Sequence, residues 1–140
     1  TVAVDTLFPL ERDRTVMLTP LTTPEMRIAA HGLFGGDAVG VSIINDSPGF
    51  VAQRVVAMIV NIGCDIAQQR IATPADIDRA VTLGLGYPNG PLAMGDALGA
   101  GRILEILESL QKFYGDPRYR PSPWLKRRAM LGVSLMTPES

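Results

Sequence analysis

The sequence predicts a mainly α fold: a helical bundle led by a small β-α-β segment. Three observations carry this. Beyond residue 47, apolar residues recur at helical spacing, whereas β-branched, period-two segments are confined to residues 1–44. A hydroxyl residue stands directly ahead of a proline at Thr23-Pro24, Ser47-Pro48, Thr73-Pro74 and Ser122-Pro123. That pairing starts helices, because the hydroxyl caps an orphan N–H and proline needs none at the first turn. Glycines follow the apolar runs, where helices end.

In chain order, residues 1–7 (TVAVDTL) and 14–19 (RTVMLT) read as strands. Thr22-Thr23-Pro24-Glu25 starts a helix, with its acid near the positive end, running to about Phe34 and stopping at Gly35-Gly36. Residues 39–44 (VGVSII) are a third strand. These 44 residues are too few for an independent sheet domain, so they form a short β/α remnant, and 45–140 form the helical domain. Ser47-Pro48 opens a long helix through about Gln69. Its middle, Val55, Val56, Ala57, Met58, Ile59 and Val60, is apolar nearly all round, which marks a central helix, a subunit interface, or both.

The next helix starts at Thr73-Pro74, with Asp76 placed like the acid of a capping box. It carries Ile77, Ala80 and Val81 on one stripe and ends at Gly84. Residues 84–91 (GLGYPNGP) are a turn. Ile103, Leu107, Leu110 and Tyr114 mark a further helix, with Glu108 and Lys112 as an i,i+4 pair and Gly115 as its stop. Ser122-Pro123-Trp124 starts the last.

Composition narrows the function. The chain has 140 residues, room for one core, and a formal net charge of −1, which gives no field favouring nucleic acid or an anionic membrane. No apolar run approaches a membrane span. The chain starts at Thr1, which reads as a trimmed chain. One cysteine, Cys64, permits no internal disulfide and no cysteine-rich zinc site, and a reducing, cytoplasmic setting fits. No G-x-G-x-x-G follows a strand, so no dinucleotide site is recognisable. His31 has no carboxylate at i+3 or i+4 and reads as helix surface or core edge, not as a metal ligand. Cys64 reads as a buried structural thiol. Asp76 and Asp78 point to different helix faces, so capping and solvation account for them better than paired acid–base work. Arg118, Arg120, Lys126, Arg127 and Arg128 cluster around Asp116, Tyr119 and Trp124. Such a cluster can hold a phosphate or single-stranded nucleic acid, but a solvated face with a partner contact is the plainer reading. From physics alone the chain is a helical, oligomerising module with no active site of its own.

The run 45–55 (NDSPGFVAQRV) resembles the opening of the C-terminal helical domain of 3-hydroxyacyl-CoA dehydrogenases. Residues 75–80 (ADIDRA), 83–92 (LGLGYPNGPL) with Asp96 and Gly99, and 121–123 (PSP) resemble later elements of that family in consistent order. The resemblance implies a bundle of the 6-phosphogluconate dehydrogenase C-terminal-domain-like fold, packed on a Rossmann domain that binds NAD. It implies oxidation of 3-hydroxyacyl-CoA in β-oxidation of fatty or aromatic acids by a His–Glu pair, with the His as general base. It also implies a homodimer or a pairing with another helical copy. The family's histidine motif, H-F-F-N-P, falls on residues 5–9, so Asp5 stands in the histidine's place, and the glutamate's place falls near Thr15. A substrate-adjacent asparagine is here Gln53, with Ser47 nearby. The expectation is therefore a second, C-terminal copy of the helical domain, catalytically inactive alone, with catalytic, NAD and metal residues all absent from this chain. The rivals are a non-catalytic module gripping acyl-CoA through the basic cluster, and a dehydrogenase of short hydroxy acids. A charge at Ile59 (Ile59→Asp) is expected to break packing or association of the long helix.

Overall fold

Thr23, Thr73 and Ser122 each cap a helix that begins at the following proline. Thr23 Oγ1 accepts the Met26 N–H at 3.3 Å, Thr73 Oγ1 the Asp76 N–H at 3.2 Å, and Ser122 Oγ the Trp124 N–H at 3.3 Å. Ser47-Pro48 departs from the expectation. Gly49 and Phe50 both take positive φ, 85° and 48°, and the Phe50 N–H closes a turn on the Ser47 carbonyl at 2.9 Å. Two successive left-handed residues cannot lie in an α-helix, so the long helix begins at Ala52, not at residue 48. The structure, a computed structural model, describes residues 1–139. They divide into two compact units, Thr1–Gln53 and Arg54–Ser140.

Unit 1 holds a three-stranded sheet in the order β1-β2-β3, with β1 at Val2–Val4, β2 at Asp13–Leu18 and β3 at Gly40–Ile44. The β1–β2 pair is antiparallel (Val2 opposite Leu18). The β2–β3 pair is parallel (Asp13 opposite Gly40), joined through helix α1, Pro24–Gly35. β1 is shorter than residues 1–7 suggest, because the chain turns at Asp5. Its carboxylate accepts the Leu7 N–H at 3.0 Å, while the Asp5 N–H still reaches the Thr15 carbonyl at 2.9 Å. Arg14 closes the other end. It grips Asp37 with two bonds of 2.7 Å, donates to the Leu10 carbonyl at 2.8 Å, and reaches the Phe34 carbonyl. The Arg14 hydrogen bonds hold the Asp37 carboxyl below its ordinary range. His31 lies exposed on α1.

Unit 2 is helical: the body of α2 (Ala52–Gln68), then α3 (Pro74–Leu85), α4 (Pro91–Leu98), α5 (Ala100–Tyr114), a 3-10 turn at Pro117–Tyr119, and α6 (Pro123–Leu131). Its core is Ala57, Val60, Cys64, Ala67, Ile77, Leu92, Ile103, Leu107, Trp124, Leu125 and Leu135. α3 runs one residue beyond the expected stop at Gly84 and is capped by Gly86 at φ 68°, the left-handed geometry that favours glycine. α5 stops at Gly115 as expected, also left-handed. Glu108, expected to pair with Lys112, meets Lys126 of α6 at 3.3 Å.

α4 is a short helix that hydrophobic spacing alone does not reveal. Its N-terminus is capped by Asp78, whose two oxygens accept the Leu92 and Ala93 N–H groups at 2.8 Å each. Asp78 is buried, so solvation does not explain it. Asn61 of α2 plays a similar part. It accepts the Ser122 N–H at 2.7 Å and donates to the Arg120 carbonyl at 2.9 Å. Asp96 accepts the Leu135 N–H at 2.8 Å, and Trp124 Nε1 donates to the Leu135 carbonyl at 2.9 Å. α2 buries Ala57, Val60, Asn61, Gly63, Cys64 and Ala67. Ile59 is only half-buried, so the charge test of packing belongs at Val60, which is fully buried.

Two predictions follow from these caps and pairs. Asp78→Ala strands two N–H groups at the buried start of α4 and is expected to cost about 2–4 kcal/mol. Asp76→Ala at the exposed start of α3 should cost about 0.5 kcal/mol. Urea titration of both variants checks this. Asp37 has a depressed folded pKa, so its contribution is present above its unfolded value of about 3.9 and is lost as pH falls through the folded value. Asp37→Asn should therefore narrow the fall in melting temperature below about pH 4. An unchanged acid limb would remove the Arg14–Asp37 pair from that role.

Candidate functional site

Two residues that the sequence singles out in unit 1, Asp5 and Thr15, line one cleft of about 540 Å³ together with Phe8, Pro9, Arg12, Asp13 and Ala52. Antiparallel pairing continues past β1 and sets Asp5 beside Thr15. Gln53, one residue beyond Ala52, donates its Nε2 to Asp5 Oδ1 at 2.7 Å. Asp5, Thr15 and Gln53 are thus neighbours in space, though they lie far apart in sequence. What occupies the three places is a carboxylate, a hydroxyl and an amide. None of these is an imidazole that could take a proton from an alcohol near neutral pH. Ser47 stands apart from the cleft lining. Its N–H reaches the Met17 sulfur at 3.1 Å, and its carbonyl closes the turn before α2.

In unit 2 the named α2 residues separate into two faces. Val60 is fully buried, and Val56 and Met58 pack against the core. Val55 is 51% exposed and Ile62 54% exposed, with half-buried Ile59 between them. The spacing of 55, 59 and 62 places all three on one helix face. α2 is therefore apolar on both sides, and among the described residues the 55–59–62 side is the less covered one.

The five cations are not gathered into one site. Arg118 pairs with Asp116 at 2.6 Å and lies over the Tyr119 ring. Arg120 reaches Asp65 at 3.8 Å, and Lys126 meets Glu108. Arg128 is buried against Trp124, 3.2 Å from its ring centroid, and donates to the Thr137 carbonyl at 3.0 and 2.6 Å. Burial lowers the pKa of Arg128. Arg127 remains exposed on α6.

Sequence reasoning missed the buried polar clips Asn61 and Asp96, and it read Asp78 as a capping or solvated residue without placing the helix that it caps. Asp78 and Asn61 sit in helical stretches where periodicity alone suggests nothing polar. The usable signal was the asparagine inside an apolar helix, since a buried amide must find partners. Cys64 is fully buried, and burial pushes its thiol up to about 12. The native chain at pH 8 is accordingly expected to resist iodoacetamide, with complete alkylation after unfolding in guanidinium. Mass spectrometry before and after denaturation reads this, and rapid native labelling would show a thiol less buried than described.

Comparison with known proteins places this geometry. The family model described as "3-hydroxyacyl-CoA dehydrogenase, C-terminal domain" matches residues 49–134. The chain is 51% identical over 88 residues to 3-hydroxyadipyl-CoA dehydrogenase of Escherichia coli K12, covering 63% of this chain and 18% of that protein. It is 38% identical over 89 residues to a probable 3-hydroxybutyryl-CoA dehydrogenase of Bacillus subtilis, covering 64% of this chain and 31% of that one. The crystal structure of 3-hydroxybutyryl-CoA dehydrogenase from E. coli K12 superposes with a TM-score of 0.83 at 38% identity, covering 93% of this chain and 27% of that chain. That likeness takes in most of unit 1 as well as unit 2. The chain thus spans less than a third of the length of each of these three proteins. The matched segment is most of the chain, and the chain belongs to the 3-hydroxyacyl-CoA dehydrogenase family, as a form of its C-terminal domain.

Proposed function

We propose that this chain is the structural and dimerisation module of an NAD-dependent 3-hydroxyacyl-CoA dehydrogenase acting in the cytoplasm on fatty or aromatic acyl-CoA intermediates. The observation that carries the reading is the uncovered apolar face of α2. Val55 and Ile62 are half exposed on a helix whose opposite face fills the core. Such a face is stable in water only with a partner or at a cost in solubility. The partner is a second helical domain of the same kind, either in another subunit or as a first copy in one longer polypeptide. Hydride transfer and NAD binding then belong to a Rossmann domain outside these 140 residues. The Asp5–Thr15 cleft, with Gln53 bonded to Asp5, supports this assignment, because the expected positions lie together but hold an aspartate and a threonine in place of a His–Glu pair. The dispersal of Arg118, Arg120, Lys126 and Arg128 into separate contacts favours pairing over a phosphate grip by the basic cluster.

Light scattering of the chain, alongside an assay with NADH and acetoacetyl-CoA, tests the reading. The expected result is an inactive chain that self-associates. The double variant Val55→Asp, Ile62→Asp should shift it to monomer with its helical content nearly unchanged and its melting temperature lower and no longer dependent on concentration. Turnover by the chain alone would overturn the assignment of catalysis to a missing domain. Calorimetric binding of acetoacetyl-CoA, weakened by Arg127→Gln, would favour the acyl-CoA-gripping alternative.

A further inference from the structure

The cleft in unit 1 contains a carboxylate, Asp5, that makes no ion pair among the described residues. Asp5 is 8% exposed. Its Oδ1 is doubly held, by the Leu7 N–H at 3.0 Å and by Gln53 Nε2 at 2.7 Å, both neutral donors. No donor to its Oδ2 and no ion-pair partner is found among the described residues, and that oxygen is not sealed from solvent. A carboxylate oxygen open at a cleft can exchange its water for a charged donor, which bonds more strongly than a neutral one. Asp5 lines the cleft, so its open oxygen can be met there by a ligand.

The rest of the lining defines that ligand. Phe8, Pro9 and Ala52 give apolar walls, with Phe8 47% exposed and able to take a ring against its own. Thr15 adds a hydroxyl. The charged groups are two carboxylates, Asp5 and Asp13, against one guanidinium, Arg12. The balance favours a cation over an anion, and the volume, about 540 Å³, suits a small organic molecule. We propose that this cleft is a binding site for a small organic cation, an ammonium carried on an apolar or aromatic body. The ammonium donates to Asp5 Oδ2 and the body lies against Phe8 and Pro9. Arg12 at the same cleft opposes the cation and limits its affinity.

Benzylammonium chloride titrated into the chain, followed by amide NMR shifts, tests the proposal. Saturable shifts at Asp5, Phe8 and Thr15 are expected. Benzyl alcohol keeps the shape and a donor but not the charge, and it should bind about tenfold more weakly. Asp5→Asn preserves an acceptor for Leu7 and Gln53 and should cost benzylammonium about tenfold. Arg12→Gln removes the opposing charge and should tighten it about two- to threefold. This second variant reads the charge balance even if Asp5→Asn fails to fold, and a purely structural Asp5 would leave it without effect. Equal binding of the alcohol, no saturation by about 20 mM, or an Arg12→Gln chain that binds no tighter would each overturn the site.

Discussion

α4 reaches the core only because two glycines let backbones meet. A Cβ at Gly63 of α2 would stand 2.7 Å from Pro91 Cβ. One at Gly95 of α4 would stand 2.6 Å from both Val60 and Leu135 side-chain carbons. Contacts that short do not occur between real side chains. This close approach lets an eight-residue helix bury Pro91, Leu92 and Gly95. The remaining contacts of unit 2 follow from it. Asp78 can cap α4 only where α4 is held, and Gly90 must lack a side chain because its Cβ would overlap Asp78. Leu135 then fills the space that Gly95 leaves open, and Asp96 and Trp124 hold Leu135 by its main chain.

Much of this was legible before any coordinates. Hydroxyl–proline caps located α1, α3 and α6, because the chemistry of a helix start is local. Gly115 ended α5 for the same reason. The start of α2 was misplaced because Ser47-Pro48 has the same local chemistry, while Gly49 and Phe50 take a backbone path that their identities do not announce. α4 was invisible to periodicity, since eight residues give barely two turns and its packing depends on glycines rather than on an apolar stripe. The buried polar clips were hidden for a related reason. A capping aspartate on the next helix cannot be told from a solvated one until both ends are placed.

The candidate site shows a similar division. The resemblance put Asp5, Thr15 and Gln53 at the three chemically decisive places, and the structure sets them side by side. It did not indicate that Gln53 would spend its amide on Asp5. The same three positions therefore serve packing inside unit 1, and the charge they leave open faces the cleft. The basic cluster, compact in sequence, was taken apart by helix geometry. Residues adjacent along α6 point in different directions: Lys126 meets Glu108, Arg128 lies on Trp124, and Arg127 stays exposed.

The last stretch of the chain is gripped mostly by its backbone. Trp124 binds the carbonyl of Leu135, Arg128 binds the carbonyl of Thr137, and Asp96 takes the N–H of Leu135. Among the described residues there, only Leu135 is fully buried. A main-chain grip does not read side chains, so mutational drift at position 137 leaves these bonds intact, while Met136 still packs on the core. Shortening the chain does not. Loss of 135 onward would uncover Trp124, Gly95 and the Arg128 guanidinium together. Tolerance of substitution and intolerance of truncation therefore coexist in one segment, and a deletion series there measures a different property from a point-mutation scan.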